Sequence, residues 1–183
     1  PCSELGYYIY KEACRRGLQF IAAPAHSKPR VFDLKIPVRN LLKRVMRPYL
    51  THCFTCGQDA ANWLFGRQLA QDVIFLPNAI DARSFEFNPA KRNEIRAQNG
   101  WANRLIIGNV SSFSQPKNHL FILDIFQEVI RHEPSALLVL VGSGGAMEKK
   151  VKDKVLQLSL KNNVKFMGSR SDIPDLLQAM DLF

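Results

Sequence analysis

The chain contains no run approaching the roughly 18 consecutive apolar residues that a membrane-crossing helix requires, so no transmembrane segment is expected. No secretory leader is visible, which excludes nothing in a sequence that begins at Pro1 rather than Met. Cysteine is scarce, with Cys2, Cys14, Cys53 and Cys56 the four present. The last two form one CxxC, but there is no second ligand pair to complete a zinc site. Residues 51–55 read as a strand, on which positions three apart point to opposite faces. The thiols are therefore expected to be free, as in a reducing cytoplasm. Carboxylates with metal-ligand spacing are missing too, and no metal is expected. There is no internal repeat and no low-complexity segment. Acidic residues are in deficit, 16 against 25 Lys and Arg, for a formal charge of +9.

That excess is local. Seven cations (Lys28, Arg30, Lys35, Arg39, Lys43, Arg44 and Arg47) lie in residues 28–47 against one acid, Asp33. The pI near 9.6 raises a nucleic-acid-binding module. The basic helix carries no interleaved aromatics and the chain no nucleic-acid motif, so none is expected as a partner. Segment 28–47 then reads either as a solvated cationic face or as an amphipathic helix drawn to anionic lipid. With 46% hydrophobic and 22% charged residues, the chain has the make-up of a soluble globular protein. Its 183 residues suffice for one domain or parts of two.

Periodicity and punctuation predict alternating strands and helices. Helices are expected at 4–16, 38–48, 58–66, 90–99, 118–132 and 147–160, with a last one running to Met180. Strands are expected at 18–23, 52–56, 73–76, 105–110, 137–141 and 164–167. Leu41, Leu42, Val45 and Met46 would form the inward side of the second helix. Gly100 would close the fourth, and Ser171 would cap the last. Such alternation predicts doubly wound parallel sheets. One unit would span residues 1–80 and another 81–183, both incomplete. Residues 179–183 read as the opening of a buried strand, and the chain is expected to be a piece truncated at both ends.

In open α/β sheets ligands bind beyond the carboxyl ends of the strands, which selects loops 25–29, 111–117, 142–145 and 168–171. Loop 111–117 is polar and brings Lys117 to the start of a helix, where unpaired N–H groups and a full positive charge suit a diphosphate. It reads equally well as a solvated loop with a surface lysine. The turn Gly142-Ser143-Gly144-Gly145 follows a buried strand and lets a ligand approach the backbone, although its spacing is neither a Rossmann fingerprint nor a Walker loop. His26 follows the first strand on a loop of the same kind. Asn109-Val110-Ser111 is a formal glycosylation sequon, discounted because it ends a buried strand.

Together these pieces resemble the family 4 retaining glycosyltransferases, especially bacterial exopolysaccharide and capsule enzymes. The resemblance is carried by Ala25-His26-Ser27, Trp63-Leu64-Phe65-Gly66, LPNAID at 76–81, FSQPKNH at 113–119, Leu140-Val141-Gly142-Ser143-Gly144, VKFMGSRSD at 164–172 and Ala179-Met180-Asp181-Leu182-Phe183. It implies a GT-B fold of two Rossmann-like domains: residues 1–80 end the acceptor-side domain, and 81–183 begin the domain that binds the nucleotide sugar. It further implies that Lys117 meets the donor phosphates and that His26 lies near the reacting sugar. Ser112, Asn118, Gly142, Gly144, Ser169 and Arg170 would complete the donor contacts. The donor would be a nucleotide-diphosphate sugar, UDP-linked, with no other cofactor, and the acceptor a glycan or lipid-linked sugar. The enzyme would work in the cytoplasm, peripheral to the inner face of the membrane.

The sequence departs from the family at Ser112, where the family has an arginine just before the aromatic. Its paired glutamates would fall beyond Phe183. An inactive relative that binds nucleotide or glycan, and a nucleotide-sugar epimerase of the same fold, stay open as alternatives.

Overall fold

The computed structural model describes residues 6–25, 36–66 and 73–183. They form two compact units, Pro1–Ile80 and Asp81–Phe183.

In the first unit three parallel strands lie in the order β1 (Ala22–Ala25), β2 (His52–Thr55), β3 (Ile74–Phe75). Ala22 pairs with His52, and Phe54 pairs with Ile74. Helices α1 (Tyr7–Arg15), α2 (Ile36–Met46) and α3 (Gln58–Phe65) precede, separate and follow the first two strands. Ala23 and Ala25 alternate inward onto Met46, Ala60, Ala61, Leu64 and Phe65, the small residues letting helix and sheet backbones approach closely. The first strand begins four residues later than residues 18–23 predicted. Leu18 and Phe20 stay exposed because only from Ala22 does the chain find β2 to pair with.

The inward side of α2 also differs from expectation. Lys43 and Met46 are buried, while Leu41 and Val45 face solvent with Val38. The reason lies in Lys43. Its ammonium donates to the Trp63 carbonyl at 2.8 Å and sits 3.3 Å from the centre of the Trp63 ring. A cation over an indole face, with its stem in the core, offsets the burial that would otherwise exclude it.

The second unit shows how a doubly wound sheet covers both faces. Its parallel strands run β4 (Ile106–Val110), β5 (Leu137–Val141), β6 (Val164–Gly168), with β5 central. All five residues of β5 are buried. Leu138 and Leu140 point into one core, with Phe113, Leu123, Phe126, Val151 and Val155 from the side of α5 (His119–His132) and α6 (Glu148–Gln157). Leu137, Val139 and Val141 point into the other, with Ile95 of α4 (Pro89–Asn99) and Leu176 of α7 (Ile173–Gln178). A two-sided strand therefore has to be apolar throughout, at about 2 kcal/mol per buried aliphatic side chain.

Helix α4 starts where Asn88 accepts the Lys91 N–H at 3.0 Å and stops at Gly100, whose φ of 70° is left-handed. Ser171 does not cap α7. Asp172 holds that position, its carboxylate turned to Arg170 instead.

The chain then returns to the free side of β4. Asp181 donates its N–H to the Ile106 carbonyl, Gly108 donates to the Leu182 carbonyl, and Leu182 bridges Ile107 in parallel. Strands are added in one direction from β4 to β6 and in the other from β4 to Leu182. The end of β4 is thus the switch point where such sheets hold ligands.

Candidate functional site

Three loops meet past the carboxyl ends of β4, β5 and β6. They enclose a crevice of about 260 Å³ lined by the strand ends Val110 and Val141, by Ser111, Ser112, Gly142, Ser143, Ser169 and Arg170, and by Ile173. The wall is built by backbone. Ser111 N–H donates to the Val141 carbonyl at 2.9 Å, Gly142 N–H to the Gly168 carbonyl at 2.8 Å, and Phe113 N–H to the Gly144 carbonyl at 3.0 Å. The Ser143 and Ser169 hydroxyls are hydrogen-bonded at 2.7 Å, closing the β5 loop against the β6 loop.

The glycines permit this contact. Gly142 has φ 141°, and a Cβ there would lie 2.2 Å from the Ser111 carbonyl oxygen. At Gly145, φ 102°, it would lie 2.2 Å from that of Phe113. At both positions the close backbone approach that glycine allows is taken up by loop 111–113, while Gly142 also lines the crevice. Gly144 alone has open space at its Cβ position. Its N–H donates to Glu148, whose carboxyl is held below its ordinary range by Lys152 first and by this N–H second.

Ser112, Gly142, Ser169 and Arg170 are therefore gathered at one crevice. Arg170 makes two bonds to Asp172, at 2.8 and 2.6 Å, which raises the guanidinium pKa and lowers the carboxyl. Lys117 and Asn118 are exposed and stand outside the crevice lining. Lys117 does not open a helical turn. It ends a short 3-10 segment, Gln115–Lys117, and Asn118 with φ 47° and ψ 44° separates it from α5. Its charge still acts on His119. His26 lies outside the described residues. No cluster of three or more His, Cys, Asp or Glu able to hold a metal exists among the described residues.

His119 and Asn109, which are not among the expected donor contacts, join this wall through Ser111. His119 is 2% exposed, its Nε2 lies 3.1 Å from Ser111 Oγ, and Ser111 Oγ donates to Asn109 Oδ1 at 2.8 Å. The signal was present, since a histidine opening an amphipathic helix on its apolar side has to be buried. Ser143, between two glycines singled out for their backbones, was also missed, because its partner Ser169 is 26 residues away.

Residues 91–183 match the family described as Glycosyl transferases group 1. The chain belongs to this family. Among curated relatives of these glycosyltransferases, the putative glycosyltransferase EpsF of Bacillus subtilis is 32% identical over 146 residues, which are 78% of this chain and 38% of that protein. The crystal structure of Anabaena Alr3699/HepE in complex with UDP-glucose superposes with a TM-score of 0.82 at 22% identity, over 97% of this chain and 50% of that one. WaaG, a glycosyltransferase involved in lipopolysaccharide biosynthesis, gives 0.62 at 17% identity, over 96% and 55%. The fold is that of the GT-B glycosyltransferases. The chain spans about half the length of these two structures and less than that of EpsF.

Proposed function

We propose that the intact protein transfers a sugar from a nucleotide-diphosphate sugar, UDP-linked, to a glycan or lipid-linked acceptor in cell-surface polysaccharide synthesis, with retention at the anomeric carbon. One observation carries this: a crevice at the switch point of the sheet, its wall set with Ser111, Ser112, Ser143, Ser169 and Arg170, inside the segment that matches the group 1 glycosyltransferases. The UDP-glucose named with the HepE structure supports the choice of donor. In the reaction the bond from C1 to the diphosphate oxygen breaks and a bond to the acceptor oxygen forms. The acceptor proton leaves with the departing phosphate or solvent.

The backbone of Ser112 and the glycine turn would cradle the diphosphate, and Arg170 and Ser169 would lie toward the base. Lys117, close enough for its charge to reach His119, would stabilise the charge that grows on the leaving diphosphate. His26 would stand beside the reacting sugar. Family membership favours transfer over epimerisation, and Ser112 in place of an arginine leaves one cation fewer at the phosphates. Lys117→Ala in the intact protein is expected to lower turnover at low donor concentration at least about a hundredfold. Unchanged turnover would remove Lys117 from the mechanism.

A second reading concerns membrane association, favoured by the outward face of α2. Val38, Leu41 and Val45 form an exposed apolar stripe beside Arg44. Residues 1–80 carry 11 of the 25 Lys and Arg and 5 of the 16 Asp and Glu, so +6 of the net +9 belongs to this unit. We infer that α2 lies in the surface of an anionic bilayer, which would hold the enzyme at the inner face of the membrane next to a lipid-linked acceptor. No described helix is long and apolar enough to span a bilayer. Sedimentation with anionic and with neutral vesicles decides: equal partitioning removes this reading.

A further inference from the structure

His119 occupies an unusual place. It opens α5, it is almost wholly buried, and its imidazole lies on Phe113 with ring centres 4.6 Å apart and planes at 36°. Phe113 is itself 1% exposed. Its N–H is given to the Gly144 carbonyl, and its carbonyl accepts from Met147 at 3.1 Å. Through this ring contact the histidine bears on the glycine turn.

Through its edge it bears on the crevice wall. The Ser111 hydroxyl has one proton and gives it to Asn109, so toward His119 it can only accept. That makes His119 the Nε2–H donor and leaves Nδ1 as a bare lone pair, buried with no hydrogen-bond partner among the described residues. Adding a proton at Nδ1 would put a charge in an apolar place with no acceptor, at the positive end of a helix. Burial first, and the Lys117 cation second, push the imidazole pKa down. The ring therefore stays neutral and keeps one tautomer, and the one proton of the Ser111 hydroxyl is spent inside the protein.

We propose that His119 is a positioning residue of the donor site: by donating to Ser111 and packing its ring against Phe113, it holds loop 111–113 against the glycine turn and so sets the wall on which the phosphates of a nucleoside diphosphate rest. This rests on the crevice being the donor site. His119 touches neither the crevice nor the reacting atoms in this arrangement. Its effect falls on donor binding, passed on through Ser111.

The test uses the intact protein, with UDP as probe for calorimetry and the UDP-sugar for kinetics. His119→Phe keeps the ring contact with Phe113 and loses the donor. It is expected to raise the UDP Kd and donor KM about tenfold, the worth of one buried hydrogen bond, with a smaller change in kcat. Ser111→Ala removes the other end of the same bond and is expected to do the same, and the double variant no more than either alone. His119→Gln, whose amide can place a donor at the Nε2 position, is expected to return the Kd to within about threefold of the parent. Unchanged UDP binding in His119→Phe and Ser111→Ala, or additive losses in the double variant, would overturn the proposal. If His119→Phe does not fold, the comparison of His119→Gln with Ser111→Ala decides alone, and equal UDP binding by both overturns it. Ser112→Glu separates the underlying assumption, since it places an anion in the crevice. Normal UDP binding by that variant means that the crevice is not the donor site, and the role given to His119 falls with it.

Discussion

Gly142 shows how a single atom can decide the site. A methyl group there would meet the Ser111 carbonyl at 2.2 Å, from a backbone with φ 141° that side chains avoid. Gly142→Ala is expected to cost about 2 kcal/mol of stability, read by thermal unfolding, and to abolish UDP binding in the same preparation. Binding retained at reduced stability would separate the turn from the donor site. Ser112 offers the opposite experiment. It is exposed and lines the crevice, so an arginine could extend there without displacing packed atoms. Ser112→Arg is expected to tighten UDP binding about fivefold at low salt, with the gain shrinking as salt screens the added charge. A salt-independent change of either sign would speak against a phosphate at this position.

At the scale of elements, α4 is clamped to the end of the chain by one carboxylate. Asp181 accepts from the Ile106 N–H at 2.7 Å and pairs with Arg92 and Arg96, while Arg96 also donates to the Ala179 carbonyl at 2.9 Å and to the Arg104 carbonyl. Burial raises the Asp181 pKa, but the Ile106 N–H and the two arginines together outweigh it and leave it below its usual value of 3.8. A depressed pKa contributes stability above the unfolded-state value, near 3.9, and loses it as pH falls through the folded value. Asp181→Asn is therefore expected to lower stability by about 3 kcal/mol at neutral pH, since the buried Arg96 loses its counter-ion. The variant should also lose less on acidification below about pH 4 than the parent does. Denaturant melts from pH 3 to pH 7 measure both. Helix α2 gives the second prediction at this scale. If its outer stripe meets lipid, Leu41→Glu lowers the partition onto anionic vesicles about tenfold while leaving stability nearly unchanged, because Leu41 is exposed.

At the scale of the molecule, the two units have separate cores and unlike surfaces. The first carries most of the net positive charge and an apolar sheet face, with Phe20, Ala22, Pro24, Phe54 and Leu76 lining an open cavity of about 380 Å³. The second has both sheet faces covered. Leu140→Ala, which empties the second core, is expected to destabilise that unit by about 3 kcal/mol. Calorimetry should then show one transition lowered and another unmoved. A single transition that shifts as a whole would mean that the two units unfold as one.

Much of the second unit is legible in its sequence. The unbroken apolar run of β5, the helical spacing of Leu120, Leu123, Phe126, Val129 and Ile130, and Gly100 after α4 are local patterns with one physical solution each, and residues 137–141 form the strand they predict. The serine and glycine loops could be placed at strand ends by the same reading. What it could not show depends on partners distant in the chain. Lys43 is buried because Trp63 is there to receive it, Asp172 turns from its helix to Arg170, and Asn118 breaks the path from Lys117 into α5. Local chemistry determined which segments are strands, helices and turns, since their periodicity and punctuation are carried by neighbouring residues. Which side of α2 faces in, why Gly142 has to lack a side chain, and that His119 reaches Ser111 were decided only by tertiary packing, because each depends on an atom that the fold alone brings within reach.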